Sequence, residues 1–309
     1  MKKLLLIGIV IFIVACQQGE DRTYERDIYK GSEGIIMEFA RDSPPDQVMQ
    51  KQNFPVGFII ENRGASDVNE SYISLIVEDE FIDVLEWNDI NTKTTKFGTL
   101  SLRGKDQTNP EGEKKRAVIQ MKSKELKDMV ETQTSLLSIN LCYNYNTLFS
   151  ESTCIDSNIF ETTDRKKSCE IETLTSSGTG APVAITEIKP QMLAHDSSTI
   201  TPEYKLTIKN VGDGQIINSG KTEKACTSES FSHKDFNDVE ISVAQLSGHN
   251  MDCEPNPVKL RDGKATTFCR LPGGVSVEAG NYKTTINFQL RYGYTTNIAD
   301  SVEIRKFIE

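Results

Sequence analysis

The segment Ile139-Asn140-Leu141-Cys142-Tyr143-Asn144-Tyr145-Asn146-Thr147 decides the fold, because it alternates with a period of two and recurs later in the chain. It recurs as Phe288-Gln289-Leu290-Arg291-Tyr292-Gly293-Tyr294-Thr295-Thr296, and both copies contain Leu-x-Tyr-x-Tyr-x-Thr. Successive side chains of a strand point to opposite faces, so these four residues share one face. We expect that face to pack in a core with the tyrosine hydroxyls at its rim, and a ligand-binding face is the alternative.

Three shorter matches precede these segments in the same order in both halves, and all four matches have offsets between 144 and 149 residues. They are Ile60-Glu61-Asn62-Arg63-Gly64 with Ile208-Lys209-Asn210-Val211-Gly212, Leu102-Arg103-Gly104 with Leu246-Ser247-Gly248, and Asn109-Pro110 with Asn256-Pro257. In Asn-x-Gly the glycine tolerates a positive φ and the asparagine caps its own backbone, which predicts a turn after each strand. Repeated matches in one order predict a tandem of one fold.

The rest of the sequence predicts short strands between turns, with one short helix over Ser123–Met129 capped by Ser123. The strand-like runs are 35–39, 54–62, 72–77, 100–102, 117–121, 136–143, 183–188, 204–210, 239–243, 267–271, 286–290 and 302–304. This pattern predicts an all-β fold of two tandem Ig-like β-sandwiches.

The N-terminus has the features of an export signal. Lys2 and Lys3 precede an apolar run that ends at Ala15-Cys16 and is too short for a comfortable membrane span of about 20 residues. Ile13-Val14-Ala15-Cys16 resembles the lipobox of exported lipoproteins. We therefore predict a signal peptide over 1–15, a lipidated Cys16 and a flexible tether over 16–31. An ordinary signal peptide with a chance cysteine, or an uncleaved anchor, is the alternative.

Length and charge restrict the remaining possibilities. The chain of 309 residues has room for about two domains, and the apolar pattern lapses around Thr163–Ser168. We therefore predict domain 1 over 32–165 and domain 2 over 166–309. The net charge of −10 repels phosphates and anionic membrane surfaces, which argues against nucleic acid as a partner.

Cysteine usage agrees with export. Without Cys16 there remain Cys142, Cys154, Cys169, Cys226, Cys253 and Cys269, an even number that predicts three disulfides in an oxidising compartment. We favour Cys142 with Cys154 across a hairpin and Cys253 with Cys269 around turn signals. Cys169 with Cys226 then follows by elimination.

Several motifs resemble a known family. Lys209 through Gly214 is similar to the turn of CARDB-like Ig modules at cell surfaces. Leu102-Arg103-Gly104-Lys105, Cys142-Tyr143-x-Tyr145, Cys154-Ile155-Asp156 and Gly180-Ala181-Pro182-Val183 resemble tandem Ig-like surface proteins of archaea. The resemblance covers nearly all of the mature chain, and it implies fold and location but no activity.

No pattern in the sequence predicts catalysis or a cofactor. His195, His233 and His249 lack metal-ligand spacing, and nucleophile-elbow, phosphate-loop and zincin motifs do not occur. Glu78-Asp79-Glu80 could ligate calcium, but a solvated strand end is the stronger expectation. Asn69-Glu70-Ser71 fits a glycan acceptor. We expect no metal site.

The combined expectation is a non-catalytic protein, lipid-anchored at the cell surface, for adhesion, envelope structure or partner binding. Its partners would be the membrane, through the lipid, and a surface protein or glycan. Two stacked sandwiches would present the loops of domain 2 away from the membrane. The alternative is an envelope enzyme or a solute-binding lipoprotein with a site between the domains.

Overall fold

The computed structural model describes residues 28–158, 167–227 and 231–307. Over these ranges the chain is almost entirely β-structure arranged in antiparallel sheets, which confirms the all-β sandwich class. The strands are β1 (Ile35–Phe39), β2 (Gln47–Met49), β3 (Asn53–Asn62), β4 (Val68–Val77), β5 (Ile82–Asn88), β6 (Asn91–Thr94), β7 (Phe97–Leu102), β8 (Lys114–Ser123), β9 (Thr132–Asp156), β10 (Leu174–Thr175), β11 (Val183–Ala194), β12 (Thr199–Asn210), β13 (Gln215–Ile217), β14 (Asp238–Leu246), β15 (His249–Asn250), β16 (Asp252–Glu254), β17 (Val258–Lys259), β18 (Lys264–Arg270), β19 (Val275–Ser276) and β20 (Asn281–Arg305).

Helices are short in the described part of the chain. Helix α1 spans Thr222–Cys226, and 3₁₀ turns occupy Ser219–Lys221, His233–Asp235 and Val277–Ala279. The helix predicted over Ser123–Met129 is wrong. Ser123 ends β8 instead, and its hydroxyl donates to the Met49 carbonyl at 2.6 Å. No helix within the described residues has the length and apolar content needed to cross a bilayer.

Three sheets make up the fold. A four-stranded sheet has the order β1-β3-β8-β5, and a six-stranded sheet has the order β10-β11-β12-β18-β16 with β19 beside β12. The third sheet has ten strands, with the path β15-β14-β20-β9-β4-β7-β6, with β13 and β2 beside β20 and β17 beside β14. Buried residues from all three sheets form one continuous hydrophobic cluster, so the ten-stranded sheet is packed against both smaller sheets.

The ten-stranded sheet joins the first half of the chain (28–158) to the second half (167–307). Strand β9 of the first half pairs with β20 of the second along its whole length, from Thr132 opposite Arg305 to Asp156 opposite Asn281. The end of β20 lies between the start of β9 and β2, and it buries Val302 and Ile304 completely.

Each half is therefore completed by a strand segment of the other half. The end of β9 pairs reciprocally with the start of β20 and buries Ile155. The halves lie side by side through this shared sheet. The predicted boundary at 165/166 lies within residues 159–166, outside the described residues, and the domain limits stay a prediction.

The Leu-x-Tyr-x-Tyr-x-Thr segments lie on facing positions of β9 and β20. Asn144 and Gly293, at equivalent positions of the repeat, are directly opposite each other. An approximate twofold axis therefore passes between them. The predicted shared face is confirmed as a core face, which we call the inner face, and its buried members are Leu141, Tyr143, Tyr145, Thr147, Leu290, Tyr292 and Tyr294.

Each of the four tyrosine hydroxyls forms a hydrogen bond with a turn or with the start of a strand. The Tyr145 hydroxyl donates to Asn62 Oδ1 at 3.2 Å, and Asn62 Nδ2 donates to the Ser66 carbonyl at 2.8 Å. The second half repeats this arrangement, with distances of 3.1 and 2.8 Å, through Tyr294, Asn210 and Gly214. The predicted repeat thus encodes the same tyrosine–asparagine clamp on each turn.

The other two tyrosines fix the first strands of the smaller sheets. The Tyr143 hydroxyl accepts from the Ile35 N–H at 3.2 Å, at the start of β1. The Tyr292 hydroxyl accepts from the Val183 N–H at 3.3 Å, at the start of β11. Both bonds attach a small sheet to the inner face of the shared sheet.

We predict a loss of stability in alkali from this tyrosine cluster. Burial raises the pKa of Tyr143 and Tyr292 well above the usual value and that of Tyr294 to about 12. Unfolded tyrosine titrates near about pH 10. The folded state therefore keeps the neutral form, and its stabilisation is complete below about pH 10 and is lost as pH rises towards the folded pKa.

Urea unfolding between about pH 8 and about pH 11 measures this effect. Each such tyrosine should contribute a fall of up to about 1.4 kcal/mol per pH unit above pH 10. Tyr294→Phe should give a shallower fall than the parent chain. An unfolding free energy that stays flat across the range, or a slope unchanged in the variant, would contradict the assignment.

The structure corrects two of the three disulfides. Cys253–Cys269 forms as predicted. Cys142 and Cys154 lie on the same continuous strand, about 40 Å apart at 3.3 Å per residue, so their predicted bond is wrong. Cys142 pairs with Cys226 and Cys154 with Cys169, which also makes the predicted Cys169–Cys226 bond wrong. Three disulfides are typical of an oxidising compartment outside the cytosol.

The N-terminal predictions lie mostly outside the described residues. This applies to the signal peptide over 1–15, to Cys16 and to the tether as far as residue 27. The last tether residues are packed instead: Ile28 is buried, and the Gly31 carbonyl accepts from the Gly180 N–H at 2.9 Å. The chain therefore enters the fold at the junction of the halves, on the side of the inner face.

Candidate binding cleft

A cleft of about 350 Å³ lies on the outer face of the shared sheet, opposite the tyrosine cluster. Its floor contains Asn140 of β9 and Thr295 and Asn297 of β20. Asn140 and Asn297 are directly paired across the two strands, and Thr295 is paired with Cys142. Strand alternation places these side chains outward because their neighbours point into the core.

The walls come from the second half of the chain. One side of the cleft is formed by residues 213–217, which include Asp213, and here β13 extends the sheet beside β20 with Gln215 paired to Thr295. The other wall is formed by Ala225 of α1 and the rings of Phe231 and Phe236. These rings meet edge to face with centroids 4.7 Å apart, an arrangement that aromatic pairs prefer.

The Cys142–Cys226 disulfide fixes the α1 wall to the sheet. It joins the floor strand β9 to the end of α1. Both cysteines are buried in a small second cluster with Tyr72, against which Phe97 and Ala225 pack. This cluster covers part of the outer face and holds α1 in a single position beside the cleft.

A surface ion pair adds to the same attachment. Lys93 Nζ lies 3.0 Å from Glu223 Oε1 on α1 and 5.4 Å from the centroids of the Tyr72 and Phe97 rings. Both ionised groups are about half exposed, so the pair is worth at most about 1 kcal/mol.

Gly293 leaves room on the outer face of the sheet for side chains of β13 and α1. A Cβ at this position would lie 2.7 Å from Ile217 Cγ1 and 2.8 Å from Thr222 Cγ2, closer than packed carbon atoms approach. The equivalent residue of the first half, Asn144, is exposed. Tyr-Gly-Tyr thus occurs in the strand whose outer face is covered, and Tyr-Asn-Tyr in the strand whose equivalent residue is exposed.

The polar groups of the cleft are free to bind a ligand. The side-chain amides of Gln215 and Asn297 form no hydrogen bond with any other residue that the structure describes, and both residues are exposed. Asn140 Oδ1 accepts only a long bond of 3.5 Å from the Ser138 hydroxyl. The described lining has one carboxylate, Asp213, and no lysine, arginine or histidine.

The residues considered from the sequence do not meet at this cleft. His195, His233 and His249 are exposed at separate positions. Asn69 is exposed on β4, so a glycan there would face solvent, and its use stays a prediction. No group of three or more His, Cys, Asp or Glu side chains within the described ranges could hold a metal ion.

The acidic run 78–80 is engaged with neighbouring groups. Asp79 is paired with Lys96, whose ammonium lowers the pKa of the carboxyl. Glu80 lies 2.6 Å from Lys127 Nζ. Glu78 Oε2 accepts from the Leu136 N–H at 3.2 Å. These contacts fit the expectation of a solvated strand end.

No residue of the cleft was predicted from the sequence to belong to a site. Asn140 and Thr295 lie in the two repeat segments, on the face of the strands opposite the tyrosines. The outward face becomes the floor of a cleft only because β9 and β20 pair and because Ala225, Phe231 and Phe236 lie beside it. The sequence feature that could have indicated the cleft is the presence of Gly293 where the first repeat has Asn144.

Comparisons with known proteins identify no family. No protein-family model matches the chain, and no curated protein matches it. Among solved structures, one named BspA_C_WT aligns over 88% of this chain and 99% of that chain, with 8% sequence identity and a TM-score of 0.16. Similarity at that level carries no argument about fold or function, and the CARDB-like resemblance stays a prediction.

Proposed function

We propose that the chain is an exported, lipid-anchored surface protein that binds a partner without catalysis, through the cleft on the outer face of the shared sheet. The observation that supports this proposal most is a cleft whose floor is made of two paired strands and carries side-chain amides available for hydrogen bonding to a ligand. Its lining offers hydrogen-bond donors and acceptors and two aromatic rings. It contains no nucleophile paired with a base, so the arrangement suits binding better than group transfer.

The entry point of the chain suits this role. Ile28 and Gly31 pack at the junction on the inner-face side. A flexible link over residues 17–27 would reach roughly 20 Å. With an anchor at Cys16, the inner-face side would lie towards the membrane, and the cleft would open away from it.

A solute-binding lipoprotein is the second candidate, supported by one observation. The floor of the cleft joins β9 of the first half to β20 of the second, so a ligand there would contact both halves. A soluble small molecule, rather than a component of a cell surface, would then be the physiological ligand. An envelope enzyme lacks comparable support in the cleft.

We predict that Asn297→Leu weakens binding of the full-length chain to isolated cell envelopes by about tenfold or more. The substitution leaves a ligand polar group without its hydrogen bond, which costs roughly 1–3 kcal/mol. The matched control is Gln289→Leu, on the outer face of the same strand but outside the cleft.

Surface plasmon resonance on detergent-solubilised chain and sonicated envelopes measures both affinities. Retained binding in Gln289→Leu with loss in Asn297→Leu supports the proposal. Equal affinities of both variants and the parent chain would place the binding surface elsewhere.

A further inference from the structure

The size of the cleft limits the ligand that it can hold. At about 350 Å³ it lies at the lower end of the range of roughly 300–1,000 Å³ for small-molecule sites. A helix or a protein loop would need a longer groove. The cleft therefore fits a small ring-shaped group, either free or as one unit of a longer chain.

The polar groups match hydroxyls better than other chemistries. Asn140, Gln215 and Asn297 each carry an amide, which donates and accepts hydrogen bonds, and the Thr295 hydroxyl does both as well. A sugar hydroxyl also donates and accepts, so neighbouring hydroxyls can pair with one amide. The Asp213 carboxylate adds two strong acceptors for hydroxyl protons.

Charge excludes an anionic ligand. The described lining has no cationic side chain and includes Asp213, and the whole chain carries a net charge of −10. Phosphates, sulfates and uronic acids would be repelled. The ligand selected by these groups is uncharged and rich in hydroxyls.

The aromatic wall supplies an apolar surface for such a ligand. The faces of phenylalanine rings carry partial negative charge, and the carbon-bound hydrogens of a sugar ring carry partial positive charge. Phe231 and Phe236 are half-buried at the cleft, so their rings are held in place and still accessible. Sugar rings have polar edges and apolar faces, which matches amides on the floor and rings on the wall.

From these observations we infer that the cleft binds an uncharged saccharide, either a terminal or an internal sugar unit of a glycan. This inference rests on the proposed function and specifies its ligand. An extended peptide is the competing class, but the cleft floor presents side chains of two paired strands rather than a free strand edge. Backbone pairing, the usual basis of strand addition, is therefore not offered by the floor.

The test uses the full-length chain in detergent and three defined probes. These are a panel of neutral oligosaccharides containing glucose, mannose, galactose or N-acetylglucosamine, a matched panel carrying uronic or sialic acid, and an array of uncharged peptides. We expect binding to at least one neutral oligosaccharide and a loss of tenfold or more in Asn297→Leu and in Phe236→Ala. Gln289→Leu should bind like the parent chain, and all three variants should show the parent's near-ultraviolet circular dichroism.

Periodate treatment of the envelopes separates this inference from the proposed function, because it destroys vicinal diols and leaves most protein intact. Loss of envelope binding after periodate supports the saccharide assignment. Envelope binding that depends on Asn297 but survives periodate, or that is reproduced by peptides or acidic saccharides, overturns the saccharide assignment and leaves the proposed function standing. Envelope binding insensitive to every cleft variant overturns the proposed function itself.

Discussion

Deletion of residues 300–309 is expected to destabilise the first half of the molecule, although these residues lie at the opposite end of the chain. The deletion removes Val302 and Ile304, both fully buried, and the strand that lies between the start of β9 and β2. The two side chains alone account for roughly 3–6 kcal/mol of burial. Loss of the strand pairing adds to this, so the total approaches the whole stability of a typical domain.

Hydrogen exchange measured by mass spectrometry would localise the damage. Amide protection should fall in β2 and in the start of β9, more than in the six-stranded sheet of the second half. The control is deletion of residues 306–309, which leaves β20 complete. If the 300–309 deletion left β2 and β9 as protected as in the control, the two halves would not share strands as described.

The second large effect is expected for Cys142→Ala combined with Cys226→Ala. This bond closes a sequence separation of 84 residues, and the chain-entropy relation gives about 4.5 kcal/mol for a loop of that length. It also ties α1 to the floor of the cleft. We therefore expect lower resistance to urea together with weaker envelope binding.

The matched control removes Cys154 and Cys169, which are separated by 15 residues and bridge away from the cleft wall at α1. The same relation gives about 3 kcal/mol for this loop. In the absence of urea, this variant should bind envelopes as the parent chain does. Urea denaturation of the two double variants measures which disulfide contributes more to the free energy of unfolding. A larger loss in the Cys154–Cys169 variant, or equal envelope binding in both, would argue against the role given to α1.

The core could be predicted because it depends on local alternation. Ile35–Phe39 was predicted and found with the same limits. The Leu-x-Tyr-x-Tyr-x-Thr face is buried in both copies except at Thr296, and the Asn62 and Asn210 turns carry the same clamp. Period two and turn chemistry are properties of neighbouring residues, so a single sequence contains them.

The pairing of the two repeats could not be predicted in the same way. Alternation shows which face of a strand is apolar but not which strand lies beside it. The segments around Ser150 and Asn297 are polar on the outer face, so the apolar runs appear shorter than the continuous strands β9 and β20. Underestimating β9 also led to the wrong Cys142–Cys154 bond, because a hairpin was expected where the strand continues.

The cleft was missed for a related reason. Asn140 and Asn297 are far apart in sequence and look like ordinary exposed strand residues. They form a floor only after β9 and β20 pair and after Ile217 and Thr222 pack beside Gly293. The even number of six cysteines, by contrast, correctly predicted three disulfides without any knowledge of their pairing.

The central claim is that the outer face of the shared sheet is the binding surface. Site-specific photo-crosslinking on intact cells tests it most directly, with the photoreactive residue placed at Gln215 on the rim of the cleft or at Gln191 on the six-stranded sheet. Both glutamines are exposed, so they are equally accessible to solvent. We expect a partner to be crosslinked at position 215 and not at position 191. A partner captured at 191 with none at 215 would contradict it.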